Sequence, residues 1–160
     1  MQQDLFTRLF KADMVLFNMQ AENNTEVLTK LYEHLYQKGY VKESYLLALL
    51  EREKKFPTGL ATIPFAVAIP HTDSEHVLQP CIVIAKLAHP VMFQEMANES
   101  NYVNAHFVFA LVLNDSEKQV GMLGTLMGIF SNEKMMERLA RADSAQAILQ
   151  VIQSNLAYAS

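Results

Sequence analysis

The chain of 160 residues contains no tryptophan, a single cysteine, five glycines and five prolines. One cysteine excludes an intrachain disulfide. Cys81 stands inside the apolar run Cys81-Ile82-Val83-Ile84-Ala85, where it reads as a small hydrophobe of a buried strand rather than a reactive thiol. So little glycine and proline, with 51% hydrophobic and 19% charged residues, excludes a disordered or fibrous chain. Basic residues are not in excess: 13 Lys and Arg face 17 Asp and Glu, the net charge is -4, and the cations are scattered, so nucleic acid is not an expected partner. No stretch approaches the roughly 18 apolar residues of a membrane span. Residues 1–8 contain an acid and no long apolar core of a secretory signal. A cytoplasmic chain without direct membrane insertion is expected. There is no Walker loop, no Gly-x-Ser-x-Gly elbow and no Gly-x-Gly-x-x-Gly after a strand, so no nucleotide or other cofactor is expected.

What is present reads as one domain of a size that supports a sizeable core. Residues 1–13 are loosely patterned, an arm or frayed end, and Met14–Met19 is a short strand candidate. Asn23 with Glu26 has capping-box spacing, and Val27, Leu31 and Leu35 keep helical period until Gly39. A second helix is expected over Lys42–Lys55, with Tyr45, Leu46, Leu49 and Leu50 inward and Glu43, Glu51, Glu53 and Lys54 toward solvent. Three β-type runs follow, Phe65–Ile69, Cys81–Leu87 and His106–Leu113, apolar on consecutive positions as in strands buried on both faces. From Asp115 the pattern is helical, with Asp115, Ser131 and Asp143 as expected N-caps and Ala147, Ile148, Val151 and Ile152 buried by the last helix. Gly121, Gly124 and Gly128 suggest close packing of their helix on a neighbour. Met122, Met127, Met135 and Met136 suit core filling or an adaptable docking surface. The expected fold is an α/β single-domain sandwich, a central mixed β-sheet covered by helices on both faces.

Of five histidines, His34 falls mid-helix, His76 and His89 in polar loops, and His106 at the start of an apolar strand; structural roles are expected for these. His71 follows a strand and Pro70 directly, which puts it just off a sheet edge on a stiff approach. Near neutral pH one imidazole nitrogen is unprotonated and suited to nucleophilic phosphoryl transfer, if the other donates its proton to an acceptor; that acceptor is not legible in the sequence. A metal site from His71, Asp73, Glu75 and His76, serving a hydrolase, is the competing chemistry, but the spacing lacks the i, i+4 geometry of a helical zinc pair and no metal is expected.

Leu50-Glu51-Arg52-Glu53, Phe56-Pro57-Thr58-Gly59, Ala68-Ile69-Pro70-His71 and Glu137-Arg138-Leu139, in that order, resemble the enzyme IIA domains of the fructose-mannitol class of the bacterial sugar phosphotransferase system, over about residues 14–156, with 157–160 as a tail. The resemblance implies a phosphotransferase that accepts a phosphoryl group from the phosphohistidine of the carrier HPr. It passes the group to a cysteine of enzyme IIB, which phosphorylates sugar during transport through membrane-embedded IIC. It makes His71 the transient phosphohistidine and Arg52 the arginine beside it. Mannitol-type relatives carry a second histidine where this chain has Gln119, which can donate a hydrogen bond to a phosphoryl oxygen but bears no charge. Gln119 with the Phe-Pro-Thr-Gly turn is similar to the galactitol-specific branch. A stand-alone regulatory phosphoacceptor that senses phosphotransferase flux is the alternative.

Overall fold

The computed structural model describes residues 7–158. Five strands, β1 (Phe10–Met19), β2 (Gly59–Leu60), β3 (Ala66–Ala68), β4 (Cys81–Glu95) and β5 (Asn98–Val112), form one sheet. Helices α1 (Asn24–Gln37) and α2 (Tyr45–Lys55) precede β2, a 3-10 turn spans Ser74–His76, and α3 (Ser116–Phe130), α4 (Glu133–Arg141) and α5 (Ala145–Tyr158) complete the chain.

The sheet is mixed, as expected. β1 runs parallel to β4, β4 antiparallel to β5, β5 parallel to β3, and β3 antiparallel to β2. β2 then touches the far end of β4, Gly59 opposite Glu95, so the pairings β4–β5–β3–β2–β4 make a closed circuit. Gly59 permits that closure: a Cβ there would lie 2.6 Å from the carbonyl oxygen of Gln94.

Period-2 alternation divides the strand residues between two cores. Val67, Ile69, Ile82, Ile84, Phe107, Phe109 and Leu111 face α3, α4 and α5, whose Leu126, Met136, Leu139, Ile148 and Ile152 are all buried. Ala68, Cys81, Val83, Ala85, Val108 and Ala110 face α1 and α2, where Val27, Leu31, Leu35, Tyr45 and Leu49 have no exposure. Phe109 lies edge-on to Phe130 with ring centroids 4.8 Å apart, tying the sheet to the end of α3. Burial pushes the Cys81 thiol up to about 12, in keeping with a structural cysteine.

Several boundaries differ from expectation. The first strand begins at Phe10, so of the expected arm residues 1–6 lie outside the described residues, 7–9 are helical, and 10–13 join the sheet. Of the expected tail, 157–158 belong to α5 and 159–160 lie outside the described residues. β4 and β5 are each 15 residues long, because their hairpin extends beyond the region that both helical layers cover. There one face meets solvent: Met92 is exposed between buried Val91 and Phe93, and Asn104 between buried Val103 and Ala105. Helix α2 starts at Tyr45 rather than Lys42. Asn23 caps α1 as expected, but Glu26 returns its bond to the amide of Glu22. Asp115 caps α3, whereas Asn132 and Ser144 take the capping roles expected of Ser131 and Asp143. Gly121, Gly124 and Gly128 pack against nothing: a Cβ on any of them meets no atom within 4 Å. Met122, Met135 and Met136 fill the core and Met127 is exposed.

Candidate functional site

Strand β3 delivers His71 to its position. Beyond Ala68 the chain continues alongside β5: the Leu111 amide donates to the Pro70 carbonyl at 3.1 Å, and His71 itself bridges to Leu111. The half-buried ring then turns back, and its Nδ1 lies 2.8 Å from the carbonyl oxygen of Ile69. A carbonyl can only accept, so Nδ1 carries the proton and Nε2 keeps a lone pair. Burial lowers the His71 pKa below its ordinary 6.5; the Ile69 bond opposes this and the positive charge of Arg52 adds to it. The ring is therefore neutral at pH 7, with Nε2 as its nucleophilic atom.

Arg52 comes from the last turn of α2. It shares with His71 a cavity of about 240 Å³, lined also by Lys55, Phe56, Pro57, Thr58, Met96 and Leu123. Its guanidinium lies over the Phe56 ring, 4.3 Å from the centroid, and makes no ion pair among the described residues. Its donors are thus available to an anion in the cavity. A larger hollow of about 490 Å³ between Leu60–Ile63 and the end of α3 holds neither histidine nor arginine, so its size marks no chemistry.

Gln119, on the first turns of α3, adjoins this site without lining the cavity. Its Nε2 donates to the carbonyl of Thr72 at 3.0 Å, which commits one amide hydrogen to pinning the residue after His71. The structure therefore brings His71 and Arg52 together and sets Gln119 behind the backbone beside them.

The remaining histidines lie elsewhere. His34 Nε2 donates to the Asp13 carbonyl, fastening α1 to β1. His106 is exposed with its ring against Phe65. The His76 ring contacts Ser44 Oγ at 2.8 Å and Glu75 at 3.6 Å rather than joining His71. Among the described residues no three His, Cys, Asp or Glu gather to hold a metal ion.

One member of the site was not anticipated. Glu53, expected at the surface, is only 5% exposed. Its carboxylate accepts from the Thr58 amide at 2.8 Å and the Thr58 hydroxyl at 2.7 Å. Burial pushes its pKa up to about 7, against the lowering effect of those two bonds. A signal existed: Glu53 follows Tyr45 and Leu49 at successive four-residue steps, on the buried stripe of α2.

Residues 8–155 match the family described as "Phosphoenolpyruvate-dependent sugar phosphotransferase system, EIIA 2", and the chain belongs to that family. Its class is that of the phosphocarrier phosphotransferases of the sugar phosphotransferase system. Among curated relatives, the galactitol-specific EIIA component of Escherichia coli K12 is 31% identical over 124 residues, 78% of this chain and 82% of that protein. The fructose-like EIIA component of the same strain is 28% identical, covering 86% of this chain and 90% of that protein. Among solved structures, the complex of enzyme IIA mannitol with phosphorylated enzyme IIB mannitol from Escherichia coli contains a chain that superposes with a TM-score of 0.72. That chain is 27% identical, with 91% of this chain and 97% of that one covered. No described helix is long and apolar enough to cross a membrane.

Proposed function

We propose that His71 is the phosphoryl-accepting residue of a cytoplasmic sugar-specific relay. The Nε2 lone pair attacks the phosphorus of phospho-HPr, the bond from phosphorus to the HPr ring nitrogen breaks, and its electron pair returns to that ring. In the second transfer a cysteine thiolate of enzyme IIB attacks the phosphorus, and the His71 ring recovers its lone pair at Nε2. The phosphoryl group then serves uptake of sugar through IIC. The observation that carries this reading is the 2.8 Å bond from Nδ1–H to the Ile69 carbonyl, which dedicates Nε2 to nucleophilic attack. Arg52, unpaired among the described residues and lining the same cavity, is proposed to hold phosphoryl oxygens as charge shifts between the two nitrogens. Gln119 is proposed to assist by fixing Thr72, not by contacting the phosphoryl group.

The substrate we propose is galactitol or a closely related alditol. Support comes from the 31% identical galactitol-specific relative and from Gln119 standing where mannitol-type relatives carry a second histidine.

The test is incubation with phosphoenolpyruvate, enzyme I and HPr, followed by measurement of acid-labile label. Label on the wild type and none on His71→Ala is expected. An unlabelled wild type, or undiminished label on the variant, overturns the proposal. Transfer onward to a galactitol-type IIB in preference to a mannitol-type IIB is expected for the sugar assignment, and the reverse preference refutes it.

A further inference from the structure

The relay leaves one part of the site without a role: a carboxyl group buried beside the cavity, with no cationic partner among the described residues. We infer that Glu53 is a positioning residue for His71, acting through Thr58 and Ile69 to set which ring nitrogen carries the proton. The inference rests on His71 being the phosphoryl acceptor, but its deciding test reads the ring directly and needs no phosphoryl transfer.

The connection is a continuous run of hydrogen bonds. Glu53 accepts both the amide and the hydroxyl of Thr58. The Thr58 carbonyl accepts from the Ile69 amide at 3.2 Å. The carbonyl of that same Ile69 accepts from Nδ1–H of His71 at 2.8 Å. Fixing Thr58 thus fixes the peptide unit whose oxygen selects the tautomer of His71.

Glu53 and Arg52 are neighbours on the last turn of α2, and Thr58 and Arg52 both line the cavity that holds His71. Gly59 allows the clamped turn to press against β4, where any side chain would collide with Gln94.

The clamp requires an acceptor for the Thr58 amide and a hydrogen-bond partner for the Thr58 hydroxyl. Thr58 is 2% exposed, so water cannot readily replace a lost partner. A glutamine here can still meet both, its oxygen accepting from the amide and its Nε2–H donating to the hydroxyl oxygen, and a protonated carboxyl can do the same; a leucine meets neither. The groups around the carboxyl are uncharged apart from Lys54 of its own helix: α1 presents Asn24 and Thr25, and β4 presents Gln94. Burial and the Thr58 bonds accordingly govern its titration near pH 7.

The experiment compares the full chain with Glu53→Leu, Thr58→Val and Thr58→Ser, by the ring ¹⁵N shifts of His71 at pH 8 and by phosphorylation rate from HPr between pH 6 and 8.5. The wild type and Thr58→Ser are expected to show the Nδ1–H form. Glu53→Leu is expected to show a mixture of the two tautomers and a rate about 10-fold lower or more. The wild-type rate is expected to fall only with protonation of His71 itself, below 6.5. A folded Glu53→Leu whose ring holds the Nδ1–H form as fully as the wild type overturns the inference. Should that variant fail to fold, Thr58→Val against Thr58→Ser decides by the same ring reading. A wild type that takes no label while its tautomer still depends on Glu53 would sink the proposed function and leave the positioning role standing.

Discussion

Replacing glycine by alanine should have opposite effects at two places in this fold, and the structure sets both magnitudes. At Gly59 an added Cβ meets the Gln94 carbonyl oxygen at 2.6 Å and Val103 Cγ2 at 2.8 Å. Val103 can shift, but the nearer atom is backbone, so β2 must move away from β4. That motion strains the 2.8 Å bond from the Met96 amide to the Gly59 carbonyl and the pairing of Gly59 with Ala68. Overpacking of this kind costs about 1–3 kcal/mol. At Gly124 the helix is regular, no atom lies within 4 Å of the new methyl, and alanine removes backbone freedom from the unfolded chain. The gain is about 0.5–1 kcal/mol.

For a chain of this length each kcal/mol shifts Tm by about 2–4 °C, so Gly59→Ala should melt about 2–12 °C lower and Gly124→Ala about 1–4 °C higher. Urea titration should show the same order in midpoint at unchanged slope, which separates a stability change from a change in compactness. Gly59→Ala should also lose phosphoryl acceptance, since the displaced turn carries Thr58. A Gly59→Ala protein as stable as the wild type, or a destabilised Gly124→Ala, would refute the contacts assigned to β2 and α3.

Three further outcomes are expected. The Tyr45 hydroxyl is buried and has no hydrogen-bond partner among the described residues, so Tyr45→Phe should leave stability unchanged or raise it by about 1 kcal/mol in urea titration; a loss of that size would contradict the assignment. Cys81, unexposed and with its thiol pushed up to about 12, should react with an aromatic disulfide reagent only as fast as the protein unfolds, and labelling of native protein at the rate of an exposed thiol would disprove its burial. The Glu53 carboxyl titrates near 7 in the folded chain against 4.5 for an unperturbed one, so the folded state holds the extra proton between those values. Its contribution is therefore fully present below 4.5 and declines as pH rises through 7, by about 3 kcal/mol at most. Glu53→Gln should remove that slope between pH 5 and 8, and an identical pH dependence in both proteins would show that the carboxyl is not buried as described.

The central architecture was legible because it rests on short-range pattern. Runs of consecutive apolar residues marked the strand segments covered by helices on both faces, and i, i+4 spacing marked α1 and α5. The hairpin extension was not legible: Pro90, a register shift between Lys86 and Val91, and the polar residues Asn98, Ser100, Asn101 and Asn104 all weaken the signal of a strand that is half solvated. His71 and Arg52 were legible as a pair through motif order. Their geometry was not, because the acceptor for Nδ1 is a backbone carbonyl, and every residue has one. Glu53 was misread by chemical type: its position in the helical period agrees with Tyr45 and Leu49, but a carboxylate is assigned to solvent unless its acceptor role is known. That role depends on Thr58, five residues later across a turn, which no periodicity reports.

The identity of the Nδ1 partner bears on how a relay at His71 would work. A carboxylate there would raise the basicity of the ring and stabilise the cationic form, as it does for metal-binding and hydrolytic histidines. A more basic ring accepts a phosphoryl group readily but is a poorer leaving group in the next transfer. A neutral carbonyl selects the same tautomer; it too raises the basicity of the ring, but burial outweighs it and the charge of Arg52 adds to the lowering. The carboxylate of the site is instead placed three hydrogen bonds away, on Thr58, and does not pair with the ring. Gln119, tied to Thr72 and uncharged, likewise adds no second cation to retain the phosphoryl group. On the proposed reading such a site would stabilise the charge shared between two nitrogens during transfer more than either phosphorylated end state, which is the condition for passing the group on.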